Sequence, residues 1–145
     1  MTFGRFAGGL DIPLTSHHRP TGRLCRAFGV TAWAGQGYLV YAPDPRRVAP
    51  TAVGLAGVEE RWLETPEAVR VVAWYGRARP GLPTLLYFHG NGGNLAMRAE
   101  RIRRFMGQGW GVYMLSYRGY SGSGGVPSED HNHADAKRAY ADLLK

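Results

Sequence analysis

The chain of 145 residues reads as an α/β domain built on a mostly parallel sheet, and three observations predict it. An apolar run through Thr84-Leu-Leu-Tyr-Phe88 ends abruptly in His89-Gly90. A loop of glycines and asparagines, Gly90-Asn-Gly-Gly-Asn94, then opens a helix-like segment. A second apolar run, Trp110-Gly-Val-Tyr-Met-Leu-Ser116, follows at a spacing that suits a β-α-β crossover. Upstream, two strand-like runs rich in β-formers read as an antiparallel hairpin. Strand, glycine-rich loop, helix is the arrangement by which such a sheet presents backbone N–H groups to an anion at its C-terminal edge.

The elements follow in order. Residues 1–37 combine Arg5, Arg19, Arg23 and Arg26 with Ser, Thr and Gly, and read as a poorly ordered or mis-started N-terminal segment with some transit-peptide flavour. Residues 38–145 form the domain. Tyr38-Leu-Val-Tyr41 is a short apolar run broken by Pro43 and Pro45. The hairpin pairs Val58–Glu64 with Val69–Tyr75 across Thr65-Pro66-Glu67, and Arg77 to Pro83 is a loop. Leu82 to Phe88 is a continuous apolar run, as expected of a strand covered on both faces.

Asn94 is placed to cap a helix whose apolar face is Leu95, Ala99, Ile102, Phe105 and Met106, with Arg98, Arg101 and Arg104 opposite. Gly107 and Gly109 stop it. After the second strand, Gly119 to Pro127 reads as a flexible loop. Ser128 begins a last helix, with Ala136, Ala139, Tyr140, Leu143 and Leu144 as its apolar positions.

Composition narrows the functional classes. The sequence is 44% hydrophobic and 20% charged, without repeats or low-complexity tracts, which is globular. A formal net charge of +7 raises the question of nucleic acid. The basic residues are spread along the chain, however, and no recognition motif accompanies them, so the reading is of no nucleic-acid partner. Contact with an anionic membrane surface fits the charge better. Cys25 is the only cysteine, which excludes an internal disulfide and a cysteine-based metal site. His131 and His133 would point to different faces of a helix, and His17 and His18 lie in the N-terminal segment, so no metal is expected. No apolar segment approaches the roughly 20 residues of a membrane-spanning helix. A cytoplasmic location without a cofactor is the resulting expectation.

Taken together, the hairpin, strand-His-Gly-Asn-Gly-Gly-Asn, helix, strand-Tyr-Arg-Gly-Tyr120 and then Pro127-Ser128-Glu129 resemble the N-terminal half of an α/β-hydrolase. Within that superfamily the pattern looks most like the serine aminopeptidase-like or acyl-protein thioesterase-like branch. Val40-Tyr-Ala-Pro-Asp-Pro-Arg-Arg47 is similar to the segment that precedes the hairpin there. The resemblance implies that the Asn91 backbone N–H belongs to an oxyanion hole, with Gly90 and Gly92 letting the backbone approach. It also implies that His89 is structural rather than the catalytic base, and that Arg118 and Gly119 shape the site wall. Ser116 stands where that branch carries an Asp.

The attacking half of such a site is not written in these residues. No Gly-x-Ser-x-Gly occurs among them. Ser121-Gly-Ser-Gly-Gly125 is the nearest approach, but its first position is Ser, it follows the wrong strand, and Pro127 comes where an elbow needs a helix. The expectation is therefore a serine hydrolase of ester, thioester or amide substrates present as an incomplete chain, a fragment inactive alone. A strand at Leu82–Phe88 without its family neighbour would leave an apolar edge prone to self-association. Two alternatives stand beside this reading. One is a nucleotide- or dinucleotide-binding module, for which Leu95 replaces the third glycine and Ser116 stands near the expected acid. The other is a non-catalytic half-domain acting through a partner.

Overall fold

The computed structural model describes residues 41–145. The readings for residues 1–37, including His17, His18 and Cys25, and for Tyr38–Val40 lie outside the described residues.

The hairpin organises the sheet. Strands β2 (Val58–Glu64) and β3 (Arg70–Gly76) pair antiparallel from Val58↔Gly76 to Glu64↔Arg70. Thr65 closes the turn, its N–H donating to the Val69 carbonyl at 2.9 Å and its Oγ1 accepting from the Val69 N–H at 3.2 Å. Strand β3 also pairs antiparallel with β6 (Gly111–Leu115), and β6 pairs parallel with β4 (Thr84–Phe88). The resulting four-stranded order is β2-β3-β6-β4. A separate two-stranded parallel pair joins β1 (Ala42–Pro43) to β5 (Gly92–Gly93).

Side chains alternate across β3 and β6, as the two-residue strand period requires. Val72, Trp74, Val112 and Met114 meet Leu95, Ala99 and Ile102 on one face. On the other, Val71, Ala73, Tyr113 and Leu115 meet Ala139. The two helices thus cover opposite faces, α1 (Ala99–Gly107) the first and α2 (Glu129–Leu143) the second.

Both expected caps form. Asn94 Oδ1 accepts from the Met97 N–H at 3.3 Å and starts a 3₁₀ turn, Leu95–Arg98, that runs into α1. Ser128 Oγ accepts from the His131 N–H at 3.2 Å at the start of α2, where Glu129 and Asp130 complement the helix dipole.

Two expectations of burial are corrected. Strand β4 is covered only in part: Tyr87 packs on one core cluster and Leu86 on the other, but all its residues keep some exposure, Phe88 most, and it is the anticipated open edge among the described residues. An apolar run specifies that a strand needs covering, whereas the covering itself depends on neighbours distant in sequence. In α2 the exposed Tyr140 and Leu144 do not face the sheet; the buried line runs through Asp135 and Ala139. Asp135 is buried with its ion-pair partner Arg118, while Ala139 and Leu143 pack on the sheet as expected.

Candidate functional site

The loop that follows β4 is assembled around His89. This side chain is 4% exposed, its ring packed on those of Tyr117 and Tyr120 with centroids 4.5 and 5.1 Å away. His89 Nδ1 donates to the Gly90 carbonyl at 2.7 Å, and Nε2 accepts from the Tyr117 N–H at 3.4 Å. Those two bonds need the neutral ring with its proton on Nδ1. Burial lowers the imidazole's pKa from its ordinary 6.5, against the Gly90 hydrogen bond and with help from the Arg98 charge. A neutral ring wedged into the sheet end has a structural part, and it is not free to act as a base.

Beyond His89, every carbonyl of the loop is engaged. The Gly90 carbonyl takes the His89 proton, and the Asn91 carbonyl accepts from the Ala42 N–H at 3.0 Å and from the Tyr120 hydroxyl. Arg98 Nη2 donates to the Gly92 carbonyl at 2.7 Å, and the Asp44 N–H to that of Gly93 at 3.3 Å. Among the described residues no acceptor meets the N–H of Asn91. Gly90 and Asn91 are exposed, and a Cβ built on Gly90 or Gly92 would meet no atom within 4 Å. The fold itself therefore does not require glycine at those two positions. Gly93 differs, with φ +82° and Met97 Sδ 2.3 Å from a built Cβ. Space above Gly90 and Gly92 beside a free N–H is what a bound oxyanion needs.

Asn94 ties this loop to the segment after β1. Its Nδ2 donates to Asp44 Oδ2 at 2.7 Å. The Asp44 carboxyl is held down to about 2, chiefly by the side chain and backbone N–H of Arg46.

The loop after β6 is the other glycine-rich segment, and the structure corrects its reading as flexible. Ser121 Oγ accepts from the Leu95 N–H at 2.9 Å, and Ser123 Oγ from the Val72 N–H at 2.9 Å. Both serines are buried. Ser123, the nearest approach to a nucleophile, is a staple between the loop and β3. The Arg118 guanidinium donates to Asp135 of α2 at 2.8 and 3.1 Å and to Glu67 of the hairpin turn at 3.0 Å. The Arg118 and Asp135 side chains are each 2% exposed. Ser116, in place of the branch's Asp, donates its hydroxyl to the Tyr120 carbonyl at 3.0 Å.

Sequence reasoning placed Asn91 in the loop but missed the residues that hold it. Tyr120 and Arg98 reach it from 29 and 6 residues away. The only signal in the sequence was the second aromatic of Tyr117-Arg-Gly-Tyr120. The dinucleotide reading fails locally: Leu95 lies in the core, where a third glycine would be needed for a cofactor. Among the described residues no group of three His, Cys, Asp or Glu side chains could hold a metal, and no helix is long and apolar enough to cross a membrane.

No family profile matches the chain. It is 36% identical over 115 residues to the α/β hydrolase domain-containing protein WAV2 of Arabidopsis thaliana, a match covering 73% of this chain and 37% of that one. An α/β hydrolase structure from Vibrio vulnificus superposes with a TM-score of 0.55 at 22% identity, over 88% of this chain and 44% of that one. The Pyrococcus furiosus esterase PF2001 gives 0.54 at 17% identity, over 71% and 41%. These two structures are like the chain in fold. The chain spans less than half the length of each of these relatives.

Proposed function

Because the chain belongs to the α/β-hydrolase superfamily, we propose that it supplies the oxyanion-hole loop of a serine hydrolase acting on acyl substrates. The observation that carries this is the Asn91 N–H, left without an acceptor among the described residues while the carbonyls around it are tied down. In acyl transfer the carbonyl oxygen gains charge as the nucleophile adds, and a donor fixed in advance at that position favours the tetrahedral state over the substrate. A single such donor contributes about 3–4 kcal/mol to the barrier. The Ser nucleophile, the acid and the base would come from residues other than those of the described loops, since Ser121 and Ser123 are committed to backbone N–H groups and His89 to the sheet end.

An ester is the substrate class favoured, because the Pyrococcus neighbour is an esterase. Thioester or amide cleavage in the manner of the serine aminopeptidase-like and acyl-protein thioesterase-like branch uses the same loop. A cytoplasmic setting suits this reading. The 145 residues alone are inactive, and the exposed β4 edge pairs with a further strand or with a second copy.

The test compares the chain alone with the chain fused to the part of the Arabidopsis relative that follows the matched segment. The chain alone should neither hydrolyse p-nitrophenyl acetate nor react with a fluorophosphonate. The fusion should do both, and Asn91→Pro, which removes the N–H, should lower its kcat by about 100- to 1000-fold. Hydrolysis by the chain alone above a heat-unfolded control, or a fusion indifferent to Asn91→Pro, contradicts the proposal. Sedimentation that finds the chain a monodisperse monomer contradicts the pairing of β4.

A further inference from the structure

The loop after β4 holds a second donor. In a trans peptide the N–H points opposite to the carbonyl of the preceding residue. The Gly90 carbonyl is turned onto His89 Nδ1, so the Asn91 N–H points away from that ring. The Asn91 carbonyl is turned onto the Ala42 N–H and the Tyr120 hydroxyl, so the Gly92 N–H points away from those two groups. The rings of His89 and Tyr120 lie against each other, centroids 5.1 Å apart, so the two carbonyls are held by neighbouring groups. The β1–β5 pairing does not use the Gly92 N–H. Its register, Ala42↔Gly92 with Ala42 N–H donating to Asn91, takes the N–H of Gly93 instead.

We infer that Tyr120 is a positioning residue whose hydroxyl, through the Asn91 carbonyl, aims the Gly92 N–H outward beside that of Asn91, making a two-donor cradle for an oxyanion. This rests on the oxyanion-loop reading above and adds both a second donor and the group that orients it. Successive N–H groups on one side of a loop form an anion-binding concavity. The open space where a Gly92 Cβ would lie leaves room for that anion.

Tyr120 is suited to the task because it is itself fixed. The residue is wholly buried, and its ring meets Tyr117 edge-on at 6.1 Å. Its N–H donates to the Tyr117 carbonyl at 3.1 Å, and its carbonyl accepts from Ser116 Oγ at 3.0 Å. Burial raises the pKa of the phenol, which keeps the hydroxyl protonated and donating. Removing that hydroxyl leaves the Ala42 N–H as the one tether of the Asn91 carbonyl among the described residues, and the peptide it holds can rotate.

The test is a titration of the whole chain with inorganic phosphate at constant ionic strength, followed at the backbone amides by ¹H–¹⁵N NMR. In the native chain the Asn91 and Gly92 signals should move together along one saturation curve. In Tyr120→Phe the same curve should weaken by about fivefold, the effect of losing one neutral hydrogen bond, while the rest of the spectrum stays in place. Equal affinity in Tyr120→Phe overturns the role of the hydroxyl and leaves the oxyanion-loop reading standing. Movement at Asn91 without Gly92 overturns the second donor alone. Silence at both amides overturns the cradle and counts against the oxyanion loop as well. A Tyr120→Phe spectrum that has collapsed throughout marks the hydroxyl as a general structural support and overturns its assignment to the loop.

Discussion

The glycine-rich loops after β4 and after β6 leave neighbouring parallel strands at the same end of the sheet, yet they spend their polar groups differently. The first turns its carbonyls inward, onto His89, Ala42, Tyr120, Arg98 and Asp44. Its Asn91 N–H is left facing out. The second turns the hydroxyls of Ser121 and Ser123 inward, where they satisfy the N–H groups of Leu95 and Val72. Composition does not separate the two. What separates them is whether the free groups are donors aimed at open space or acceptors already used by a neighbouring strand.

The largest way to break this contrast is at Arg118, which opens the second loop. Arg118→Ala leaves Asp135 a buried charge without its main partner, and breaking a buried pair costs about 3–5 kcal/mol. Urea unfolding should show that loss, and a change below about 1 kcal/mol would mean the loop does not depend on the pair. Ser123→Ala comes next. It strands the buried Val72 N–H and should cost about 1–3 kcal/mol, and as a structural change it should leave a fused hydrolase's chemistry intact. If Ser123→Ala instead abolished fluorophosphonate labelling, the staple would be a nucleophile.

A matched pair of substitutions sharpens the comparison within the first loop. Gly93→Ala meets a left-handed φ of +82° and the Met97 sulfur, and should destabilise by about 1–2 kcal/mol. Gly92→Ala meets open space and should change stability by less than about 0.5 kcal/mol, while its methyl intrudes on the proposed anion. Equal thermal shifts for the two variants would erase the distinction between a glycine the fold needs and one a ligand needs.

The smallest effect is a pH dependence from His89. Its pKa in the folded chain is lowered below 6.5, so the unfolded chain takes up a proton first as the solution is acidified. The His89 contribution is therefore full above about pH 6.5 and is lost as pH falls below it. Thermal midpoints should decline through that window in the native chain and decline less in His89→Asn. Asp44 and Glu67, both held near 2, lose their contributions only in a more acid window, as pH falls below their ordinary 3.8 and 4.5.

Much of the frame was legible because it is written locally. The caps at Asn94 and Ser128, the hairpin from Val58 to Gly76 and the apolar stripe of α1 each follow from residues a few positions apart. The same holds for Asn91, whose place follows from a strand running into glycines. What escaped is tertiary. Asp135 looks like a solvated helix charge until Arg118, 17 residues earlier in the chain, is brought against it. Ser121 and Ser123 look like linker residues until β3 and the start of the helix arrive to use their oxygens. The open edge of β4 was anticipated, but only through the resemblance, since its own five residues carry no record of which strands flank it.

The most direct measurement is residue-resolved amide hydrogen exchange across the two loops of the 145-residue chain. The account predicts that Asn91 exchanges near its unprotected rate while Val72, Leu95, Ser121 and Gly124, each donating to a named acceptor, are strongly slowed. Comparable protection in both loops, or a protected Asn91 beside freely exchanging Leu95 and Val72, would contradict it.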